Sequence, residues 1–198
     1  MIFFFFVYDE NYFSEQGCNN FEILMNRERE MRGLPRLECS EKLREIALTH
    51  AMDQMAHVKA GGSFGKCNLH TWFQKNKDYK DCCYTSDHAN PKCMWEKPKE
   101  IFGKTRFFYF CSFALFKCLP ILNFILGNEC KSSGFEVSVR VWPRDINQSE
   151  AIQLWKDSPG HARVIFTEGP WKILKKMGCA NFGQFAHCWF SAASDTSC

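Results

Sequence analysis

The stretch Glu150-Ala-Ile-Gln-Leu-Trp155-Lys-Asp-Ser-Pro-Gly-His161-Ala-Arg-Val-Ile165 leads an amphipathic helical pattern directly into a Pro-Gly turn that presents one histidine. Asn147 can cap this helix through its side chain, and Pro159-Gly160 is expected to turn the chain. Four apolar residues recur at helical spacing between these two signals: Ala151, Ile152, Leu154 and Trp155. The arrangement indicates a functional site, and the residues alone leave two roles open for His161, bracing the turn or binding a metal.

Two further helices are predicted upstream. Asn19 stands three residues before Glu22, which is a capping-box pattern, and Gly33 provides a stop, so the first helix covers about residues 20–32. Ser40 is the next cap, and an apolar stripe follows it until two glycines at 61–62. The stripe consists of Leu43, Ile46, Ala47, Ala51, Met55 and Val58. His50 lies on the same helix face, which predicts a hydrogen-bonded core histidine rather than a metal ligand.

Strand patterns dominate the second half of the chain. A strict two-residue period predicts a half-buried strand with Glu136 facing away from the aliphatic side. Its aliphatic side is Phe135, Val137, Val139 and Val141, which alternate with Glu136, Ser138, Arg140 and Trp142. Residues 177–180 and 185–190 are predicted to form two more strands joined by a turn at 181–184. A disulfide between Cys179 and Cys188 would cross this hairpin.

Composition limits the classes of protein that fit. The 198 residues can form one domain with a substantial core, and a net charge of +3 with interspersed signs gives no reason to expect a nucleic-acid partner. Twelve cysteines along the whole chain indicate disulfides and an extracellular location. Zinc ligation by cysteines is the competing interpretation, but it is disfavoured because the cysteines between 67 and 93 lack a paired C-x-x-C spacing.

Three segments depart from an ordinary secreted domain. Residues 1–18 form a poor signal peptide, without a basic start or a cleavage site, and are expected to be disordered or misassigned. Residues 61–98 lack periodicity and are predicted to be a long loop held by crosslinks. Residues 104–131 are an atypical Phe-rich insertion in a domain spanning 19–190, with 191–198 as a tail. This insertion remains open to three interpretations: genuine domain sequence, a membrane span, or translated non-coding sequence.

The helices and the final hairpin together resemble the CAP superfamily, which includes cysteine-rich secretory proteins, antigen-5-like allergens and pathogenesis-related proteins. Asn26-Arg-Glu-Arg-Glu-Met-Arg-Gly-Leu-Pro-Arg-Leu37 is similar to the first family helix and its exit, and residues 43–55 are similar to the second. Trp155 with Ser158-Pro-Gly-His161 resembles the third-helix signature, and residues 179–190 resemble the closing strands. The resemblance covers about residues 20–75 and 132–190. It implies an α+β fold, a three-layer α-β-α sandwich with a small, mostly antiparallel sheet, stabilised by disulfides.

The resemblance also implies a cleft in which two histidines and two acidic residues meet. His161 matches the histidine after the glycine, His70 in Cys67-Asn-Leu-His70 matches the earlier histidine, and Glu136 matches the strand glutamate. The fourth position falls near Asp157 or Ser158.

Two neutral imidazoles and a carboxylate are suitable ligands for zinc, so His70, His161 and Glu136 are the predicted metal site. His57, His88 and His187 have no comparable partners in the sequence and are interpreted as surface or structural residues.

Two functions are weighed for such a domain. The leading hypothesis is a secreted binding module for a lipid, a sterol or an extracellular protein partner, without enzymatic activity, because no nucleophile motif is present. The alternative is a metal-dependent hydrolase in which His70 and His161 hold the metal and Glu136 takes a proton from water. A membrane-anchored interaction protein is a third class, which depends wholly on the Phe-rich insertion; membrane insertion is not the favoured outcome.

Overall fold

The structure, a computed structural model, describes residues 17–74, 79–102, 109–112, 117–120 and 133–192, with only the backbone described for 109–112 and 117–120. The helices are α1 (Asn20–Glu30), α2 (Glu41–Lys59), α3 (Lys92–Trp95), α4 (Lys97–Phe102), α5 (Gln148–Asp157), α6 (Pro159–Ile165) and a 3-10 helix (Gly169–Ile173). The strands are β1 (Glu38–Cys39), β2 (Tyr109–Ser112), β3 (Lys117–Pro120), β4 (Phe135–Arg140), β5 (Leu174–Phe182) and β6 (Phe185–Ala192).

Side-chain caps begin the three long helices where the sequence predicts them. Asn19 forms a complete capping box with Glu22 at the start of α1, and Ser40 and Asn147 accept backbone hydrogen bonds at the starts of α2 and α5. The predicted turn after α5 is corrected by the structure. Pro159 occupies the first position of a new helix, α6, because proline at that position has no N–H to leave unpaired. His161 therefore lies in the first turn of a helix.

A four-stranded sheet forms the middle layer in the order β1-β5-β6-β4, with β1 parallel to β5 and the other pairs antiparallel. Its first face packs against α1, α5 and α6. This aliphatic face includes Val137, Met177, Cys179, Cys188 and Phe190, all fully buried. Trp155 of α5 is also fully buried and stacks on Phe21 of α1 with 5.6 Å between ring centres.

Helix α2 covers the second face of the sheet. Leu43, Ile46 and Ala47 of α2 pack with Trp189 of β6 in a second apolar cluster. The helix approaches β5 so closely that a Cβ placed on Gly178 would stand 2.6 Å from the Leu43 side chain and nearer still to its backbone. The structure thus confirms the predicted three layers with a small, mostly antiparallel sheet between helices.

Four disulfides stabilise the described part of the chain: Cys18–Cys39, Cys67–Cys83, Cys82–Cys93 and Cys179–Cys188. The last confirms the pairing predicted across the β5–β6 hairpin. The middle two confirm disulfides rather than zinc ligation in the loop region, where Trp72 and Cys82 also form an isolated bridge. This cysteine-rich, disulfide-bonded character is consistent with an extracellular or surface location.

The expected disordered or misassigned N-terminus lies outside the described residues up to position 16, and the C-terminal tail lies outside them from position 193. Of the Phe-rich insertion, the structure describes only the backbone of β2 and β3, which pair as an antiparallel hairpin. The remainder of that prediction falls outside the described residues. None of the helices that the structure describes has the length and hydropathy needed to cross a bilayer.

Candidate metal centre

The register of β4 against β6 brings a polar group onto the sheet face that α2 covers. Glu136 pairs with Trp189 and Ser138 pairs with His187, while the alternate residues of both strands point to the aliphatic face. Glu136, Ser138 and His187 are all buried. The prediction that Glu136 faces away from the aliphatic side is therefore confirmed.

Glu136 lies at the centre of the site, where three histidines contact its two carboxylate oxygens. Oε1 lies 2.5 Å from Nδ1 of His50 and 3.1 Å from Nδ1 of His187, and Oε2 lies 2.8 Å from Nδ1 of His70. Burial alone would raise the pKa of Glu136, but His50 and His187 outweigh that effect and hold the pKa well below its ordinary value. The side chain is thus a buried carboxylate.

His50 links the Glu136 carboxylate to the chain at Thr71. Its Nδ1 faces the carboxylate, and its Nε2 lies 2.8 Å from the carbonyl oxygen of Thr71. The amide nitrogen of Gln54 lies 2.9 Å from the same Nε2 and also contacts the carbonyl oxygens of Leu69 and Thr71. The prediction of a hydrogen-bonded core histidine at position 50 is confirmed.

His70 and His161 lie at the open side of this cluster. Nδ1 of His70 contacts Glu136 and also lies 3.2 Å from the hydroxyl of Ser138, which leaves Nε2 as the nitrogen without a partner among the described residues. The His161 ring centre is 6.4 Å from that of His70. Burial, and then the neighbouring His70, lower the pKa of His161 to about 4, so the imidazole is neutral at pH 7.

His70 and His161 can supply two imidazole ligands to a zinc ion. A metal-binding histidine commonly donates its second ring N–H to a carboxylate, and Glu136 accepts from His70 in that manner. Two imidazoles on one tetrahedral zinc have ring centres roughly 5 Å apart, whereas those of His70 and His161 are 6.4 Å apart, so a shared ion requires the rings to approach each other. Zinc binding by this pair and Glu136 as a direct ligand stay predictions.

A second combination, His50 with Glu136 and His187, also has ligand atoms close enough for an ion. The distances between its ligand atoms fit hydrogen bonds rather than metal coordination. Two ligand atoms on one zinc ion stand roughly 3.3 Å apart, whereas Nδ1 of His50 is 2.5 Å from the carboxylate. We therefore assign this inner group to the orientation of Glu136.

The sequence prediction missed His187 as a member of the site. Its side chain is completely buried, its ring stacks on His50 with centres 4.1 Å apart, and Nδ1 also lies 2.9 Å from Ser138 Oγ. Nε2 has no hydrogen-bond partner among the described residues. Burial, and then His50, lower the pKa of His187 to about 4.

The other predicted positions have separate contacts. Asp157 is exposed and accepts a hydrogen bond from Gln153, and Ser158 precedes α6 without a side-chain cap. His57 stacks on Phe73 with ring centres 3.5 Å apart, as expected of a structural residue. His88 is exposed, contacts the hydroxyl of Tyr84, and lines the same cleft as His70.

A cleft of about 360 Å³ opens beside His70 and Glu136. Its polar lining is formed by His70, Tyr84, His88 and Glu136, and the Tyr84 ring is 5.5 Å from both His70 and His88. The apolar lining consists of Pro91, Met94, Trp95, Phe135, Val164 and Trp171. Phe135 packs edge-on against Trp171 at 4.9 Å and lies 6.0 Å from Trp95. Such a volume and lining are typical of small-molecule sites.

Comparison with known proteins adds little to this geometry. No protein-family model and no curated protein matches the sequence. Among solved structures, an outer surface protein of Borrelia burgdorferi is similar with 11% identity and a TM-score of 0.41, over 86% of this chain and 89% of that chain. A likeness at this score supports no conclusion about function.

Proposed function

We propose that this chain is an extracellular domain of the CAP type that acts as a binding module, with the cleft beside His70 as its binding surface. The observation that carries the proposal is the position of His70, whose ring centre is 6.4 Å from that of His161, in the wall of an aromatic cleft. The CAP membership rests on the sequence resemblance. The four disulfides support the extracellular part of the proposal, because such crosslinks persist in oxidising compartments.

The lining of the cleft favours an apolar ligand. Trp95, Phe135 and Trp171 are only partly buried, so their rings are open to contact from outside. A volume of about 360 Å³ suits a lipid chain, part of a sterol, or an apolar side chain of a protein partner. His70 in the polar lining would orient such a ligand.

His70 and His161 would hold the zinc ion, with Glu136 fixing the tautomer of His70 from behind. When bound, zinc would supply a Lewis acid at the polar lining of the cleft. The residues of this chain contribute two neutral imidazoles, a buried carboxylate that orients one of them, and an apolar wall that excludes water.

The alternative, a metal-dependent hydrolase using His70, His161 and Glu136, requires a carboxylate oxygen that is free to take a proton from water. Both oxygens of Glu136 are already contacted, one by His50 and His187 and the other by His70. The side chain is also buried. These contacts favour a positioning role for Glu136, and therefore favour binding over hydrolysis.

Zinc titration tests the ligand pair. His70→Ala and His161→Ala are expected to weaken zinc binding by at least about tenfold in calorimetry, whereas His57→Asn, at a residue with separate contacts, leaves it unchanged. Circular dichroism would establish that each variant is folded. Equal affinity in all four proteins would contradict the metal centre. Metal-dependent turnover that disappears in a folded His161→Ala protein would favour the hydrolase.

Tryptophan variants test the cleft. A brominated fatty acid and a fluorescent sterol serve as probes, with binding followed through quenching and energy transfer. Trp171→Ala removes one aromatic wall and should abolish most of the binding, whereas Trp142→Ala, at a tryptophan that is 70% exposed and outside the cleft, should retain it. Equal loss in both variants would contradict the assignment of the cleft.

A further inference from the structure

The segment Asn147-Gln148-Ser149 lies at the start of α5 and is the one Asn-X-Ser/Thr sequence in the 198 residues. This tripeptide is the acceptor for asparagine-linked glycans in secreted proteins. Neither the metal centre nor the aromatic cleft uses it. The structure shows whether the asparagine is accessible and which of its side-chain atoms are occupied.

Asn147 is exposed and its side chain is engaged on one side only. Oδ1 accepts a hydrogen bond of 2.9 Å from the backbone N–H of Glu150, which caps the helix. Nδ2, the atom that would carry a glycan, donates no hydrogen bond to any residue that the structure describes. Ser149, which completes the acceptor sequence, is exposed as well.

The other asparagine cap shows that this situation is not general. Asn19 caps α1 in the same way through its oxygen, but its Nδ2 donates to the carbonyl of Cys179 at 2.9 Å. Both the oxygen and the nitrogen of the Asn19 amide are therefore hydrogen-bonded, whereas among the described residues only the oxygen of the Asn147 amide is. Attachment at Nδ2 of Asn147 displaces no contact of the described structure.

We propose that Asn147 is an N-glycosylation site. The co-reactant is a lipid-linked oligosaccharyl pyrophosphate, supplied together with its transferase by the secretory compartment. The bond between the sugar C1 and the pyrophosphate oxygen breaks, the C1–Nδ2 bond forms, and Nδ2 loses one proton. Oδ1 takes no part in the transfer, so the helix cap at Glu150 survives modification.

A shallow polar cleft of about 370 Å³ surrounds the attachment atom. Its lining is rich in amides and suits the hydroxyl and acetamido groups of a first sugar; it consists of Asn20, Leu24, Ile146, Asn147, Gln148, Ser149 and Asn181. Helix α5 has ten residues and so is about 15 Å long, and His161 follows its far end. A glycan on Asn147 thus leaves the aromatic cleft open.

The test is expression of the full chain behind a cleavable leader in mammalian cells, with intact mass and electrophoretic mobility measured before and after peptide-N-glycosidase treatment. Wild type should carry one glycan, removed by the enzyme with conversion of Asn147 to aspartate. Asn147→Asp and Ser149→Ala should both lack it. Asp at position 147 still caps α5, so a folding defect does not explain the loss. Ser149→Thr should keep the site.

The secreted and the retained fractions are both analysed, because transfer precedes export. The supplied leader makes this test independent of the extracellular location in the proposed function. Absence of a glycan from both fractions of wild type and Ser149→Thr would overturn the inference. A glycan that persists in Asn147→Asp would also overturn it, by locating the modification elsewhere.

Discussion

The two faces of the central sheet share one backbone and differ in what they bury. The face toward α1, α5 and α6 holds aliphatic and aromatic side chains, with Trp155 fully buried among them. The face toward α2 holds a carboxylate and three imidazoles beside a smaller apolar cluster. Because successive side chains of β4 and β6 point to opposite faces of the sheet, neighbouring residues of each strand lie in the two different environments.

This difference assigns separate tasks to the two faces. Apolar burial on the first face drives folding, whereas a buried carboxylate that is hydrogen-bonded to histidines contributes little net stability against apolar replacements of similar size. We therefore assign the polar face to the chemistry of the site. We expect substitutions on the aliphatic face to change stability alone, and substitutions on the polar face to change stability together with zinc binding.

The largest effect is expected from Trp155→Ala. Removing a fully buried indole leaves a cavity beside Phe21, and such truncations cost about 3–5 kcal/mol. Denaturant unfolding measures the loss, and calorimetry on the folded fraction should show unchanged zinc affinity. The neighbouring Leu154→Ala, at a side chain 38% exposed, is the control and should cost under about 1 kcal/mol. Similar losses in both variants would refute the role of this face as the main core.

Glu136→Gln is expected to have the next largest effect. The amide keeps the shape of the side chain but replaces one of the two carboxylate oxygens that face the histidines, and disruption of such a buried, charge-assisted hydrogen bond costs about 3 kcal/mol. Zinc affinity should fall as well, because the support for the His70 tautomer weakens. Unfolding and zinc titration are measured on the same preparation. An unchanged free energy of unfolding would rule out a structural role for these buried hydrogen bonds.

The parts of the fold that the sequence predicts depend on residues that are close together in the chain. Asn19, Ser40 and Asn147 mark helix starts because a cap depends on residues only three positions apart. The β5–β6 hairpin and its Cys179–Cys188 bridge are likewise local. The predicted turn at Pro159 was wrong, because this proline occupies the first position of a helix.

The inner part of the site could not be predicted because it depends on contacts distant in sequence. His187 meets Ser138 and Glu136 through the register of β6 against β4, and no sequence pattern determines that register. The alternation of Ala186 and Cys188 toward the aliphatic face offered one usable signal: it placed His187 on the opposite face. That signal identifies His187 as a buried site residue only once α2 is known to cover the opposite face of the sheet as well.

The pH dependence of stability isolates the contribution of His187. Its folded pKa of about 4 is below the ordinary 6.5, so the unfolded chain binds the proton more tightly, and stability present above pH 6.5 is lost as pH falls toward 4. The shift corresponds to about 3 kcal/mol. Protonation would also place an N–H at Nε2, which lacks an acceptor among the described residues.

His187→Asn keeps a donor near Glu136 and does not titrate, so its unfolding free energy should fall less steeply over this range than that of wild type. His161 contributes in the same direction in both proteins and therefore cancels in the comparison. Glu136 acts at lower pH, because its folded pKa lies below its ordinary value and its contribution is lost only as pH falls through that folded pKa. Parallel pH profiles would show that His187 titrates normally.

The smallest effect concerns the distance between the polar face and α2. A Cβ on Gly178 would collide with the backbone of Leu43 and Arg44, which cannot rotate away, so Gly178→Ala must push α2 outward at a cost of about 2 kcal/mol. Gly160→Ala is the matched control, because a Cβ at that position meets nothing within 4 Å. Since His50 is carried by α2, the displacement should also weaken its contact with Glu136 and reduce zinc affinity. Equal stability of the two alanine variants would mean that α2 does not approach the sheet as closely as the contact at Gly178 requires.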